Sequence, residues 1–190
     1  MRNTTHDWAA GVDREHLEHA RRRPVPGGTT HLVLEVLAYA AEEAESTGGG
    51  HCVVTQHPDG SISITDNGRG TDTRADAEGR TTKKPIMASK DLRFYDHPNA
   101  QTLPDGHPRQ GMSLVAAHST WLIHTNRRTN GAWTQRYEHG IPTTALTPIP
   151  ADGTTGTTVH FQPTTPSTPT IAPQDLGTWS HLTVTVVRDT

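Results

Sequence analysis

His31-Leu-Val-Leu-Glu35-Val-Leu-Ala-Tyr39-Ala-Ala-Glu42-Glu43-Ala44, then Pro58-Asp-Gly60, then Asp66-Asn-Gly68-Arg69-Gly70, is the stretch whose reading decides the fold. Val33, Val36, Leu37, Ala40 and Ala44 recur at three- and four-residue spacing, so the first part reads as a helix with one stripe packed on a sheet. Glu35, Tyr39 and Glu42 fall one turn apart on a neighbouring stripe. Pro58-Asp-Gly60 marks a hairpin. Beyond it Ile62, Ile64 and Asp66 alternate in strand phase, which turns Asp66 toward the side that the helix covers. A carboxylate there needs hydrogen-bond donors, because an unpaired buried charge is costly. Taken alone, Asp66-Asn-Gly68 is equally an ordinary turn whose aspartate bonds its own backbone.

Working outward, Asp13 caps a first helix that runs to about Arg23, and Pro24-Val-Pro-Gly-Gly28 breaks it. Thr29 or Thr30 is expected to cap the second helix. Strands are expected near 51–57 and 61–66, a helix near 111–119, and further strands near 120–127, 132–138, 156–161 and 182–188. Residues 67–110 hold few apolar positions and many Gly, Pro, Asp and Lys, which makes them the candidate lid. Residues 163–173 form a Thr/Pro-rich connector, with a short helix expected near 174–179. The sum is α/β: a two-layer sandwich whose mixed, mostly antiparallel sheet carries helices on one face.

At 190 residues the chain can bury one core, and with 31% hydrophobic and 5% aromatic residues that core must lean on Val, Leu, Ile and Ala. A net charge of −3 gives no general drive toward DNA phosphates, and the patches Arg21 to Arg23 and Arg127-Arg128 read as solvated faces. Cys52 is the only cysteine, so no intramolecular disulfide is open to it; within a Val-rich strand it reads as a packed core thiol. The 13 histidines are scattered, with no His-x-x-x-His pair and third ligand, so no metal site is expected. No apolar leader region and no 18-residue apolar run is present, which predicts a cytoplasmic protein without membrane contact.

Three later segments and one at the front keep the order of a known pattern. They are Gly111-Met-Ser-Leu-Val-Ala-Ala-His-Ser119, Gln135-Arg-Tyr-Glu-His-Gly140, Thr155-Gly156-Thr157-Thr-Val-His-Phe161 and, at the front, Glu18-His-Ala-Arg-Arg-Arg23-Pro24. Together with the helix glutamate, the hairpin and Asp-x-Gly-x-Gly, they resemble the ATPase domain of the DNA gyrase B subunit and its GHKL (Bergerat-fold) relatives. The resemblance covers nearly the whole chain and implies one such domain over 1–190, without transducer, toprim or DNA-cleavage domain. It implies ATP or ADP as ligand. By the same resemblance Asp66 and Thr157 form the adenine-binding pair, Gly68 and Gly70 belong to the close-approach turn, and Gly111 leads the helix behind the lid. Arg69 and Glu43 match a pocket-shaping salt bridge, and Glu35 matches the general base that activates water.

Two positions depart from that pattern. Tyr39 stands where the family has a magnesium-binding asparagine, and a phenol is a poor ligand for magnesium, which argues against a magnesium cofactor. In Gly106-His-Pro-Arg109-Gln-Gly111 the central glycine of the phosphate loop is Arg109, so backbone amides cannot wrap phosphates in the usual way, although a guanidinium can pair with an anion directly. Three function classes remain open. The chain is a stand-alone adenine-nucleotide-binding module with weak or absent hydrolysis that signals to a protein partner. Alternatively it is a repurposed enzyme in which Glu35, Tyr39 and Arg109 act on another small molecule by acid–base chemistry. The third class is a decoy for gyrase inhibitors, through Asp66, Thr157 and Arg127 or Arg128.

Overall fold

The computed structural model describes residues 6–8, 11–71, 73–75, 81–83, 86, 89–171 and 176–189. In chain order the elements are β1 (His6–Trp8), α1 (Arg14–Arg22), α2 (Thr29–Thr47), β2 (Gly50–Gln56), β3 (Ile62–Asp66), β4 (Thr73–Ala75), β5 (Thr81–Lys83), β6 (Ser89–Asp91), α3 (Met112–Ala117), β7 (Ser119–Arg128), β8 (Gly131–Glu138), β9 (Ile141–Pro142), β10 (Thr147–Ile149), β11 (Gly156–Pro163) and β12 (Leu182–Arg188). The main sheet runs β10-β8-β7-β11-β3-β2-β12, with β9 also on β8, while β1 pairs β6 and β4 pairs β5. β12 lies parallel to β2, and every other strand pairing among the described residues is antiparallel. Of the described helices, none is long and apolar enough to cross a membrane.

Asp13 caps α1 as expected, its side chain accepting from the His16 amide at 2.9 Å. The expected threonine cap of α2 is corrected. Gly28 takes the N-cap position without a side-chain bond. The two hydroxyls are used elsewhere: Ser167 Oγ donates to Thr29 at 2.8 Å and the Thr170 amide to Thr30 at 3.0 Å. They tie the Thr/Pro-rich connector to the start of the helix. The single apolar stripe is corrected too, because every residue from Leu32 to Ala38 is buried. α2 packs on β2, β3 and β12 and also against α3, so its first half meets more than one partner.

Residues 67–110 are less bare than their composition suggests. Ile86, Phe94, Tyr95 and Leu103 are buried, and the backbone of 94–109 is crossed by turn bonds, including Arg109 N to Gln101 O at 2.7 Å. Residues 174 and 175 of the expected short helix lie outside the described residues; 177–178 form a turn. Strands β9 and β10 carry too few residues to show a period in the sequence.

The inner face of the sheet changes character along the strands. Phe161 is level with Ile62 and Leu122, and Leu122 with Tyr137, all fully buried. One step on, Val159 is level with Ile64 and His124. A further step brings Thr157 level with Asn126, and Asp66 level with Cys52. The apolar floor therefore ends in a polar row, because period-two alternation keeps Ile62, Ile64 and Asp66 on one face. Cys52 itself is wholly buried, and burial pushes its thiol up to about 12.

Candidate functional site

A cavity of about 440 Å³ opens at the polar end of this floor. Its walls come from the second half of α2 (Val36, Tyr39, Ala40, Glu42, Glu43), the inner sheet face (Ile64, Asp66, His124, Thr157, Val159) and the start of α3 (Gly111, Met112, Ser113). Of the sequence candidates, Tyr39, Asp66, Gly70, Gly111 and Thr157 line it together.

Asp66 is held by two backbone donors, the Gly68 amide at 2.8 Å on Oδ1 and the Thr157 amide at 3.2 Å on Oδ2. Burial raises its pKa above the ordinary carboxylate value, against the lowering effect of those amides. The close fit of β11 beside it depends on Gly156. At φ +130 its backbone suits glycine, and a Cβ there would lie 2.0 Å from the Asp66 carbonyl oxygen. Gly70 is equally constrained: at φ +76 a Cβ would meet the Arg127 carbonyl at 2.5 Å and Asn126 Oδ1 at 2.6 Å.

Asn126 is a residue the sequence gave no reason to single out. It is fully buried, accepts from the Thr71 amide at 2.7 Å and donates to the Thr71 carbonyl at 2.9 Å. Its amide thus pairs with the backbone like a strand neighbour and fixes the exit of the glycine turn. Arg69 grips Glu43 through Nε (2.6 Å), Nη2 (3.0 Å) and its own amide (3.0 Å). Those bonds hold the Glu43 carboxyl below its usual range, with the Arg69 side chain as the main cause.

Glu35 is wholly buried behind the cavity wall. Its carboxylate accepts from the Gln110 amide at 2.5 Å and the Gly111 amide at 2.8 Å, which pins the loop before α3 to α2. His31 Nε2 lies 3.3 Å from Glu35, and His31 Nδ1 lies 2.7 Å from Asp105. Burial pulls the His31 pKa down, but the two carboxylates outweigh it and the net shift is upward. His31 precedes Glu35 by four residues, so helical spacing alone could have paired them; Asp105 had no such signal.

No family model matches the sequence. The chain is 33% identical over 157 residues to the topoisomerase IV B subunit of Bacillus subtilis, an overlap of 78% of the chain and 24% of that protein. It is also 33% identical over 140 residues to the gyrase B subunit of Thermotoga maritima, covering 72% of the chain and 22% of that protein. The topoisomerase IV ATP binding domain of Francisella tularensis, solved in complex with a small-molecule inhibitor, superposes with a TM-score of 0.66 at 21% identity, over 96% of the chain and 52% of that structure. The chain is a gyrase-B-like domain of the GHKL family. It spans about a quarter of the length of the curated relatives it matches.

The two departing positions of this GHKL domain meet in one cluster. Arg109 is fully buried, its guanidinium 4.3 Å from the Tyr39 ring centre and 3.8 Å from that of Phe94. It donates to Glu42 at 2.7 Å and Gln101 at 3.1 Å, so the anion it meets is the domain's own carboxylate. Arg93 binds the same Glu42 at 3.1 and 3.3 Å and grips Asp91 at 3.0 and 2.8 Å. The Tyr39 hydroxyl donates to Asp91 at 3.3 Å, and burial raises its pKa above the ordinary phenol value. The structure therefore brings Tyr39 and Arg109 together. Glu35 faces the Gln110 and Gly111 amides instead and does not line the cavity.

Proposed function

We propose that this GHKL domain binds an adenine nucleotide, ATP or ADP, by its adenine end, with weak or absent hydrolysis, and that the bound state is read by a protein partner. The observation that carries this reading is Asp66, a carboxylate at the cavity wall oriented by two backbone amides. An exocyclic amine is the donor such a carboxylate accepts from. Thr157 and Gly70 stand beside it, where a flat base can approach backbone closely.

Magnesium does not fit the residues present. Tyr39 offers a neutral phenol already committed to Asp91, and the nearby carboxylates of Asp91 and Glu42 are both gripped by Arg93, whereas magnesium requires free hard oxygens in octahedral array. Phosphoryl transfer depends on positioning and charge neutralisation, so no catalytic step is assigned to Glu35. The acid–base reading gains no support from Glu35, whose carboxylate is taken by backbone amides. Capture of gyrase inhibitors keeps one supporting observation, the small-molecule inhibitor in the Francisella tularensis domain.

A thermal-shift titration with ATP and ADP, alongside phosphate release with and without magnesium, tests the proposal. Stabilisation that grows with ligand concentration, and phosphate release at background with or without the metal, is the expected result. Robust magnesium-dependent release abolished by Glu35→Gln would restore an ordinary ATPase.

A further inference from the structure

The alternation that turns Ile62 and Ile64 inward puts Ser63 on the opposite face of the sheet. There it meets His57, the residue after β2, whose Nε2 lies 2.9 Å from Ser63 Oγ. His57 Nδ1 lies 3.1 Å from Asp189 Oδ2. Both backbones are fixed: the His57 amide donates to Ser61 O at 3.0 Å across the hairpin, and the Asp189 amide donates to Gln56 O at 2.9 Å just beyond β12. A carboxylate only accepts, so the neutral His57 ring keeps its proton on Nδ1 and leaves the Nε2 lone pair for the Ser63 hydroxyl. In that arrangement a histidine acts as base toward a serine. The His57 side chain is 23% exposed and that of Asp189 63%, so a solute can reach the pair. Ser61 is wired the other way. Asp59 Oδ1 accepts from its hydroxyl at 2.6 Å and its amide at 2.9 Å, and these bonds hold the Asp59 carboxyl below its usual range. With its one proton given to Asp59, the buried Ser61 accepts from His160 Nε2 at 2.9 Å. It is a turn residue, whereas Ser63 faces a base.

We infer that Ser63, His57 and Asp189 form a nucleophilic site that takes the acyl group of an aryl carboxylic ester and passes it to water. The site lies outside the cavity wall, and the inference goes beyond nucleotide binding without depending on Asp66. Ser63 Oγ bonds to the acyl carbon while its proton passes to His57 Nε2 and the carbonyl electron pair moves onto oxygen. The tetrahedral adduct then collapses, the C–O bond to the leaving phenol breaks, and the phenol oxygen takes the proton from His57. Water repeats the sequence with the same base, which releases the carboxylic acid and restores Ser63. Asp189 is a positioning residue that acts through the imidazole. Thr55 on β2 and His160 on β11 are level with Ser63, so both flank it on the same face. The Thr55 hydroxyl is the donor beside the developing oxyanion. The Trp121 ring, 4.8 Å from that of His160, offers an apolar edge to the aryl group.

The purified chain is assayed with p-nitrophenyl acetate and, separately, treated with phenylmethylsulfonyl fluoride and mapped by peptide mass spectrometry. The expected result is hydrolysis above the buffer rate that rises with pH, and a sulfonyl adduct on Ser63. Ser63→Ala and His57→Gln should each lower the rate at least about ten-fold, and His57→Gln should also remove its pH dependence. Asp189→Asn should lower the rate, and Asp189→Glu should restore part of it. Thr65→Ala, on the same face but outside the cluster, should match the wild type. A Ser63→Ala rate equal to wild type in a variant with an unchanged melt would overturn the inference. So would labelling that leaves Ser63 unmodified, a result read on the wild-type chain and independent of how any variant folds. ATP-linked stabilisation of Ser63→Ala reports on the nucleotide reading separately, so the two ideas fail by different measurements.

Discussion

Asp66 shows how a single side chain at a cavity wall can be oriented by backbone alone. The Gly68 and Thr157 amides take one acceptor site on each oxygen, so the carboxylate keeps capacity to accept a further donor, although burial makes its ionisation harder. Asp66→Asn preserves shape but turns a carboxamide NH2 donor toward one of those N–H donors. Adenine-ligand affinity should fall by roughly 1–3 kcal/mol, measured by calorimetry on a variant whose melting transition stays cooperative. Unchanged affinity would remove Asp66 from recognition. Arg109 tests the other departure. Its cation sits against the Tyr39 and Phe94 rings and on Glu42, so Arg109→Met should cost roughly 1–3 kcal/mol of stability in urea unfolding, because the two ring contacts and the hydrogen bonds of a buried guanidinium are lost while Arg93 still holds Glu42. A loss under about 0.5 kcal/mol would place that guanidinium in solvent instead.

Among the elements, β3 and β11 were legible because alternation survives any tertiary context. Ile62, Ile64 and Asp66 on one strand, and Thr157, Val159 and Phe161 on the other, keep one face by geometry alone. What lets those strands approach closely at the cavity end is Gly156, where no side chain can be inserted against the Asp66 carbonyl. Gly156→Ala should lower stability by roughly 2 kcal/mol or more, and it should also loosen the Thr157 amide from Asp66. Circular-dichroism melting with ligand titration measures both, and a melt equal to wild type would contradict the close approach. Helix α2 was legible as a helix but its burial was not. A stripe describes contact with one partner layer, and α2 has contacts on more than one side.

For the whole molecule, acid stability follows from a histidine that does not line the cavity. His16 is buried edge-on against Tyr95, ring centres 4.3 Å apart, and neither ring nitrogen finds a hydrogen bond among the described residues. Burial first, and then the nearby Lys90 and His19 charges against the opposing Asp13, bring its pKa from 6.5 to about 4. The unfolded chain therefore binds that proton more readily, so this group's contribution falls as pH drops from 6.5 toward about 4 and is level below that. The loss amounts to roughly 3 kcal/mol at most. Urea unfolding across that window should show it, and His16→Phe should flatten the slope; an equal slope in the variant would assign the acid sensitivity elsewhere. His31 runs the opposite way: its raised pKa adds stability that is present in acid and lost as pH rises through the folded value. Read by itself, the sequence determined the α/β layering, the helix and hairpin, the phase of Asp66 and the ordered family pattern, since each is written in spacings of a few residues. Only the tertiary structure decided that Arg93 and Arg109 would hold Glu42 from 51 and 67 residues away, that Asn126 would clasp Thr71 across 55, and that the cavity wall would be acidic. Local periodicity specifies which way a side chain points, whereas its partner across the chain is chosen by packing and by the cost of leaving a buried charge alone.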